Sequence, residues 1–196
     1  MDLIVASNNS GKIKEYKSML KPFGFNVYSM SEKGVYTDID ETGTTFEENA
    51  HIKAKEIYDM LKTYVISDDS GLEVEALDNA PGIFSARYKG IPTEGERRKE
   101  ILKELDGKKN RNARFVCCIC FIDKDGNEHM FKGLWNGRIS LEEKGSEGFG
   151  YDPIFIPKGK RKTTSELGME YKNKNSHRAI ASKMLIDFLK EKEYEE

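Results

Sequence analysis

A short aliphatic run lies at the N-terminal end of the chain and is followed by a polar loop and a segment with helical periodicity. The run is Leu3–Ala6, the loop is Ser7–Gly11, and apolar residues then recur at helical spacing from Ile13 to Leu20. This order predicts a strand, a tight loop and a helix that packs back onto the strand. A βα unit at this position favours the α/β fold class.

The rest of the chain continues to alternate predicted strands and helices. Thr45 with Glu48 is a capping-box pattern and predicts a helix to about Leu61. Tyr64–Ile66 predicts a buried strand that ends at Ser67–Gly71. A further strand is predicted near Phe25–Tyr28, and a helix from the Thr93 and Glu96 capping box to just before Gly107. Strands are predicted over Arg114–Ile122 and His129–Leu134, joined by an Asp125-Gly126 turn. A last helix is predicted after Ser176, with an apolar face formed by Ile180, Met184, Phe188 and Leu189.

Length and composition limit the class of protein. With 196 residues, the chain is long enough for one domain, or one domain with two lobes, around a substantial core. Its net charge of −2 disfavours nucleic acid as a partner. We find no secretion signal and no run of about 18 apolar residues, which excludes a membrane span. The clustered Cys117, Cys118 and Cys120 fit a buried strand in a reducing cytoplasm.

The loop after the first strand is a candidate anion site. Unpaired N–H groups at a helix N-terminus attract phosphate, and Lys12 adds a cation there. The spacing of a Walker A loop is absent. An ordinary βα turn with a solvated Lys12 remains the alternative interpretation.

Asp68 and Asp69 lie at the predicted end of a strand, where α/β sheets usually bind ligands. Successive strand residues point to opposite faces, so the two carboxylates are expected to have different roles. One could hold Mg²⁺ or take a proton from water. The alternative interpretation of Asp68 and Asp69 is that they are ordinary turn residues. Glu41 is a possible second ligand of a hard cation, and the alternative interpretation is that it is a solvent-exposed acid.

Two further segments have candidate ligand contacts. His177 and Arg178 lie in the first turn of the last predicted helix, where cations oppose the helix dipole unless a ligand uses them. Solvation of the pair is the alternative. Phe149 and Tyr151 lie in a glycine-rich loop, and either base stacking or core packing explains them.

Six segments together resemble the inosine triphosphate pyrophosphatase family, also called the Ham1 or non-canonical purine NTP pyrophosphatase family. They follow the order of the family and extend over nearly the whole chain. The segments are Ala6–Lys12, Glu41–Ala50, Ser67–Leu72, Ala80–Tyr88, Gly148–Phe155 and Ser176–Ala179.

The resemblance implies a fold and an assembly. It implies a single α/β domain over residues 1–196, with a long twisted mixed sheet flanked by helices and two lobes around a central cleft. It also implies a homodimer. Two positions need comment: Asn8 stands where many members have Gly, a tolerable change because Asn accepts positive φ, and Asp40 adjoins Glu41, so that the sequence does not decide which of them reaches the metal.

The resemblance also implies roles for individual residues. Glu41 and Asp69 would bind Mg²⁺, and Asp69 would be the catalytic proton acceptor. The remaining implied positions bind the substrate. They are Ser7, Asn8, Asn9, Ser10, Gly11 and Lys12 around the triphosphate, with Asn9 and Lys12 as the main contacts, Lys53 as added positive charge, Ser70 as a substrate contact, Phe149, Gly150, Tyr151 and Asp152 as the base pocket, and Lys172, His177 and Arg178 at the base edge.

The implied reaction is attack of a metal-activated water on the α-phosphorus of ITP, dITP or XTP, which gives the monophosphate and pyrophosphate. Three alternatives stay open at this point. One is a related house-cleaning pyrophosphatase for modified pyrimidine nucleotides. The others are a catalytically silent purine-nucleotide sensor and an RNA-binding module, which the near-neutral charge disfavours.

Overall fold

The computed structural model of the chain describes residues 1–192, so the last four residues of the predicted 1–196 domain lie outside the described range. A seven-stranded sheet has the order β2-β1-β3-β5-β6-β7, with β4 paired to β3. Both parallel and antiparallel pairs occur, and the predicted mixed α/β fold is therefore confirmed. The strands are β1 (Asp2–Val5), β2 (Asn26–Ser29), β3 (Tyr64–Val74), β4 (Ala80–Pro81), β5 (Asn112–Ile122), β6 (Glu128–Ile139) and β7 (Phe155–Pro157).

Helices connect these strands. The first βα unit is as predicted, since β1 pairs in parallel with β2 and β3, and α1 lies between β1 and β2 in the chain. The Asn9 side chain caps α1 by accepting a hydrogen bond from the Lys12 N–H. The helices are α1 (Ser10–Leu20), α2 (Phe46–Leu61), α3 (Glu94–Glu104), α4 (Thr164–Leu167), α5 (Met169–Asn175) and α6 (His177–Glu191).

Helix α2 begins and ends where the sequence predicts. Thr45 caps it by accepting from the Glu48 N–H. The Glu48 carboxylate accepts from Thr44 rather than from Thr45, so the reciprocal half of the box is shifted by one residue. Ala50, Ala54 and Ile57 are buried along one face, and this packing fixes the helix against its neighbours.

The predicted end of β3 at Ser67–Gly71 is wrong, because the strand continues through this segment to Val74. The polar side chains that suggested a turn find partners inside the fold; the Ser67 hydroxyl, for example, donates to the Ala50 carbonyl. Beyond them, Leu72 and Val74 are fully buried and secure the second half of the strand. The residues before and after the polar segment are buried, and this burial outweighs the local preference of the segment for a turn.

The buried face of α6 also differs from the prediction. Ala181, Leu185 and Leu189 are fully buried, whereas Met184 is 45% exposed. The buried residues recur every four positions, and the face that they define is displaced from the predicted one. Strand β6 is likewise longer than predicted at both ends.

The chain forms two compact units. The first comprises Met1–Asp69, Cys118–Lys132 and the segment from Ala181, and the second comprises Ser70–Cys117 and Gly133–Ile180. The three cysteines are free and buried in β5, as predicted. Within residues 1–192, no helix is both long and apolar enough to cross a membrane.

Candidate active site

The first unit contains a cluster of lysines and carboxylates built on α1, α2 and β3. Lys12, in the first turn of α1, places its ammonium 2.6 Å from the Oδ1 atom of Asp68. The Asp68 side chain is only 1% exposed, so this ion pair lies at the base of the cluster. The strong pairing holds the Lys12 ammonium at the N-terminal end of α1.

Lys53 of α2 joins the two carboxylates that are candidates for metal binding. Its ammonium lies 2.7 Å from Glu41 Oε1 and 3.7 Å from Asp69 Oδ1. It also donates to the backbone carbonyl of Asp68 at 2.8 Å. Glu41 rather than Asp40 therefore belongs to this cluster, while Asp40 is exposed.

The pKa of the Asp69 carboxyl is well above its ordinary value. Burial raises its pKa to about 6, the Lys53 ammonium opposes this rise, and the negative charge of Glu41 adds to it. Its Oδ2 atom is buried, and no hydrogen bond of ordinary geometry reaches that atom from residues 1–192. A carboxyl with these properties is suited to accept a proton near neutral pH or to bind a cation.

The pair of carboxylates fits a small hard cation. The described residues contain no group of three or more His, Cys, Asp or Glu side chains arranged to hold a metal. Mg²⁺ usually takes one or two protein carboxylates and completes its shell with water and substrate phosphates. Glu41 and Asp69 provide such a pair, and the Lys53 ammonium near both shows that a positive charge is favourable there.

The segment predicted as the loop after β1 is largely exposed to solvent, and its last two residues already belong to α1. Asn8, Asn9, Ser10 and Gly11 are exposed, and Ser7 is half-buried. Asn8 does not adopt a positive φ, so the replacement of a family glycine at this position needs no left-handed backbone. The Asn9 side-chain oxygen already accepts from the Lys12 N–H as the helix cap.

A second cluster lies in the second unit, on the glycine-rich loop and α5. The Lys172 ammonium is 2.6 Å from Asp152 Oδ2 and 3.8 Å from the centroid of the Phe149 ring. The same Asp152 oxygen accepts from the Phe149 N–H at 3.0 Å. Phe149 is 57% exposed, and one face of its ring is thus held over a buried ion pair.

The Tyr151 side chain is packed in the core, which is the alternative interpretation that the sequence left open. Tyr151 is buried and its hydroxyl donates to the Ser85 carbonyl at 2.7 Å. Of the two aromatic side chains in this loop, Phe149 is therefore the one with a surface available for stacking.

His177 and Arg178 begin α6 as predicted, but their surroundings differ. The His177 ring is buried and stacks on Phe115, with the ring centroids 4.8 Å apart. Arg178 is half-buried, and its Nη2 atom lies 3.5 Å from the Ser70 hydroxyl, at the limit of a hydrogen bond. Ser70 and Arg178 are thus brought together.

Comparison with known proteins decides the family. The sequence model of the Ham1 family matches residues 3–188. The chain belongs to the Ham1 family. Among its relatives are a "dITP/XTP pyrophosphatase" of an Exiguobacterium species, 45% identical over 97% of this chain and 100% of the relative, and a "dITP/XTP pyrophosphatase" of Bacillus subtilis, 44% identical over 96% of each.

Solved structures agree with this assignment. The Ham1 protein of Staphylococcus aureus has a TM-score of 0.94 at 40% identity, over 98% of this chain and 100% of that one. A HAM1 protein of Coxiella burnetii has a TM-score of 0.92 at 37% identity, over 97% and 99%. The family resemblance predicted from six sequence segments is confirmed.

The Ham1-family segments do not include every residue that shapes these clusters. Glu94 and Arg98 of α3 both bond to the backbone of Gly150, between Phe149 and Tyr151. Glu94 is 56 positions and Arg98 is 52 positions away from Gly150 in the chain. No spacing rule connects a helix to a loop at such a distance, and only the tertiary structure shows the contact.

Proposed function

We propose that this chain is a nucleoside-triphosphate pyrophosphohydrolase that converts ITP, dITP and XTP to the monophosphate and pyrophosphate and so removes them from the nucleotide pool. The dITP/XTP pyrophosphatases among its relatives support the reaction class. The observation that carries the proposal is the buried Asp69 carboxyl, with its pKa raised to about 6, beside Glu41 and Lys53.

In this proposal the first cluster acts on the triphosphate. Lys12, Lys53 and the backbone N–H groups at the N-terminal end of α1 neutralise and orient the phosphate oxygens. Glu41 and Asp69 would hold Mg²⁺, and the chemistry that this ion would supply is neutralisation of phosphate charge and a lower pKa of bound water. Asp69 then accepts a proton as water attacks the α-phosphorus, and pyrophosphate leaves.

The second cluster binds the base. The exposed ring of Phe149 stacks on it, and Lys172, held by Asp152, keeps that ring in place. Arg178 binds the base edge, with Ser70 beside it as a further substrate contact. The family resemblance also assigns His177, whose ring is stacked on Phe115, to the base edge. Donors placed for a 6-oxo oxygen are left unpaired by the 6-amino group of adenine, and this mismatch disfavours ATP.

The family resemblance supports three further parts of the proposal. These are dependence on Mg²⁺, a homodimer, and one domain with two lobes. A cytoplasmic location is supported by the three free cysteines, which suit a reducing compartment.

The test is a substrate panel. ITP, dITP and XTP should each release pyrophosphate with Mg²⁺ present, while GTP, ATP and TTP are compared in the same assay. Release of single orthophosphate would exclude the reaction. A preference for modified pyrimidine triphosphates would favour the house-cleaning alternative, and tight purine binding without turnover would indicate a sensor.

A further inference from the structure

Two charged side chains of helix α3 hold the base-pocket loop at Gly150. The N–H of Gly150 donates to Glu94 Oε2 at 2.8 Å, and its carbonyl accepts from Arg98 Nη1 at 2.8 Å. The backbone N–H and the backbone carbonyl of Gly150 are therefore both bonded to charged side chains of helix α3. Such charge-assisted hydrogen bonds are stronger than neutral ones.

The start of helix α3 and the Arg98 side chain are themselves fixed. Glu94 and Arg98 are four residues apart, so they lie on the same face of α3. The Thr93 side chain caps the helix by accepting from the Glu96 N–H. Arg98 Nε is also 3.1 Å from Glu143 Oε1, and the Arg98 side chain is only 16% exposed.

The loop needs such support from outside. Gly150 has a φ of +60°, a left-handed conformation that glycine adopts without strain but that does not by itself fix the chain direction. Phe149 directly precedes it and is 57% exposed, so packing alone holds its ring weakly. The bonds from α3 complement those that Asp152 makes to Phe149 from within the loop.

We propose that Glu94 and Arg98 are positioning residues for base recognition, which hold Gly150 so that the Phe149 ring is presented to a purine base. This inference rests on the proposed function, because it assigns the stacking role to Phe149. Neither residue contacts the reacting phosphates in this account. Their loss should weaken substrate binding and base discrimination more than the chemical step.

The test compares Glu94→Ala, Arg98→Ala and Arg98→Lys with Glu100→Ala and Lys99→Ala on the same helix as matched controls. KM for XTP should rise about tenfold in both alanine variants, with kcat within about twofold of wild type, because each removes one charge-assisted bond. The XTP-to-ATP ratio of kcat/KM should fall. Arg98→Lys should recover part of the loss, and the controls should match wild type.

Two further readouts separate positioning from general stability. The Gly150 amide should exchange with solvent faster in Glu94→Ala but not in Glu100→Ala. The double alanine variant should raise KM little beyond the worse single variant, because both bonds act through Gly150. If Arg98→Ala does not fold, the exposed Glu94 still allows the test.

The two proposals fail in different ways. If the wild-type protein releases no pyrophosphate from XTP, the proposed function is wrong. If wild type is active and the alanine variants keep its KM and base preference, the positioning role alone is wrong. Equal loss of activity toward XTP and ATP, with faster unfolding, would also overturn it by showing a purely structural role.

Discussion

Replacement of Asp69 by asparagine should stabilise the folded protein at neutral pH. Burial raises the pKa of Asp69 from 3.8 to about 6, so the folded state binds a proton there more tightly than the unfolded state does. The stabilising contribution of this carboxyl is therefore greatest at low pH and is lost as the pH rises from about 4 through about 6. At pH 7.5 the buried carboxylate destabilises the fold by about 3 kcal/mol, at about 1.4 kcal/mol for each pKa unit.

Asparagine is neutral and nearly the same size, so the variant should regain this free energy. The gain in the free energy of unfolding should be about 3 kcal/mol at pH 7.5 and about 1 kcal/mol at pH 4.5. For a chain of this length, the gain at pH 7.5 corresponds to a rise in Tm of about 6–12 °C. Urea and thermal unfolding at both pH values, in EDTA, measure it.

Asp59→Asn is the control for this prediction. Asp59 is exposed, and hydrogen bonds from Lys55 and Lys62 lower its pKa to about 2. The contribution of that carboxylate is present at neutral pH and is lost on acidification, so this variant should be slightly less stable than wild type at pH 7.5. An Asp69→Asn protein no more stable than wild type at pH 7.5 would refute the account of the Asp69 environment.

The remaining predictions concern activity and one buried ion pair. Asp69→Asn should lower kcat by at least about a hundredfold in steady-state assays, because the amide is a poor base and a weaker ligand. Excess EDTA should abolish turnover and Mg²⁺ should restore it; activity that persists in EDTA would exclude the roles of Glu41 and Asp69. Arg178→Ala should compress the ratio of kcat/KM for ITP over ATP, and equal losses would assign Arg178 to the phosphates or the fold. Lys12→Ala should cost about 3 kcal/mol in urea unfolding, because Asp68 stays buried without its ammonium.

The sequence predicts the βα start of the chain, helix α2 and the family, because short-range signals determine each of them. Capping residues and helical periodicity act within a few positions. The course of β3 through Asp68 and Asp69 was not predicted, since it depends on Lys12 and on the burial of Leu72 and Val74. Lys12 is 56 positions from Asp68 in the chain, so local sequence signals do not reveal this pairing.

The candidate site divides in the same way. The resemblance identified Glu41, Lys53 and Asp69 as functional positions, and the structure brings these three side chains together. It did not indicate that one lysine would approach both carboxylates. The contacts of Glu94 and Arg98 with Gly150 lay beyond sequence reasoning, because a helix surface charge has no local signature of its tertiary partner.

Hydrolysis of XTP in ¹⁸O-labelled water shows which phosphorus atom the water attacks. If water attacks the α-phosphorus, the label should appear in the nucleoside monophosphate, and the pyrophosphate should carry none. Mass spectrometry of both products after a single turnover gives the answer. Label in pyrophosphate, or release of labelled orthophosphate, would contradict the proposed reaction.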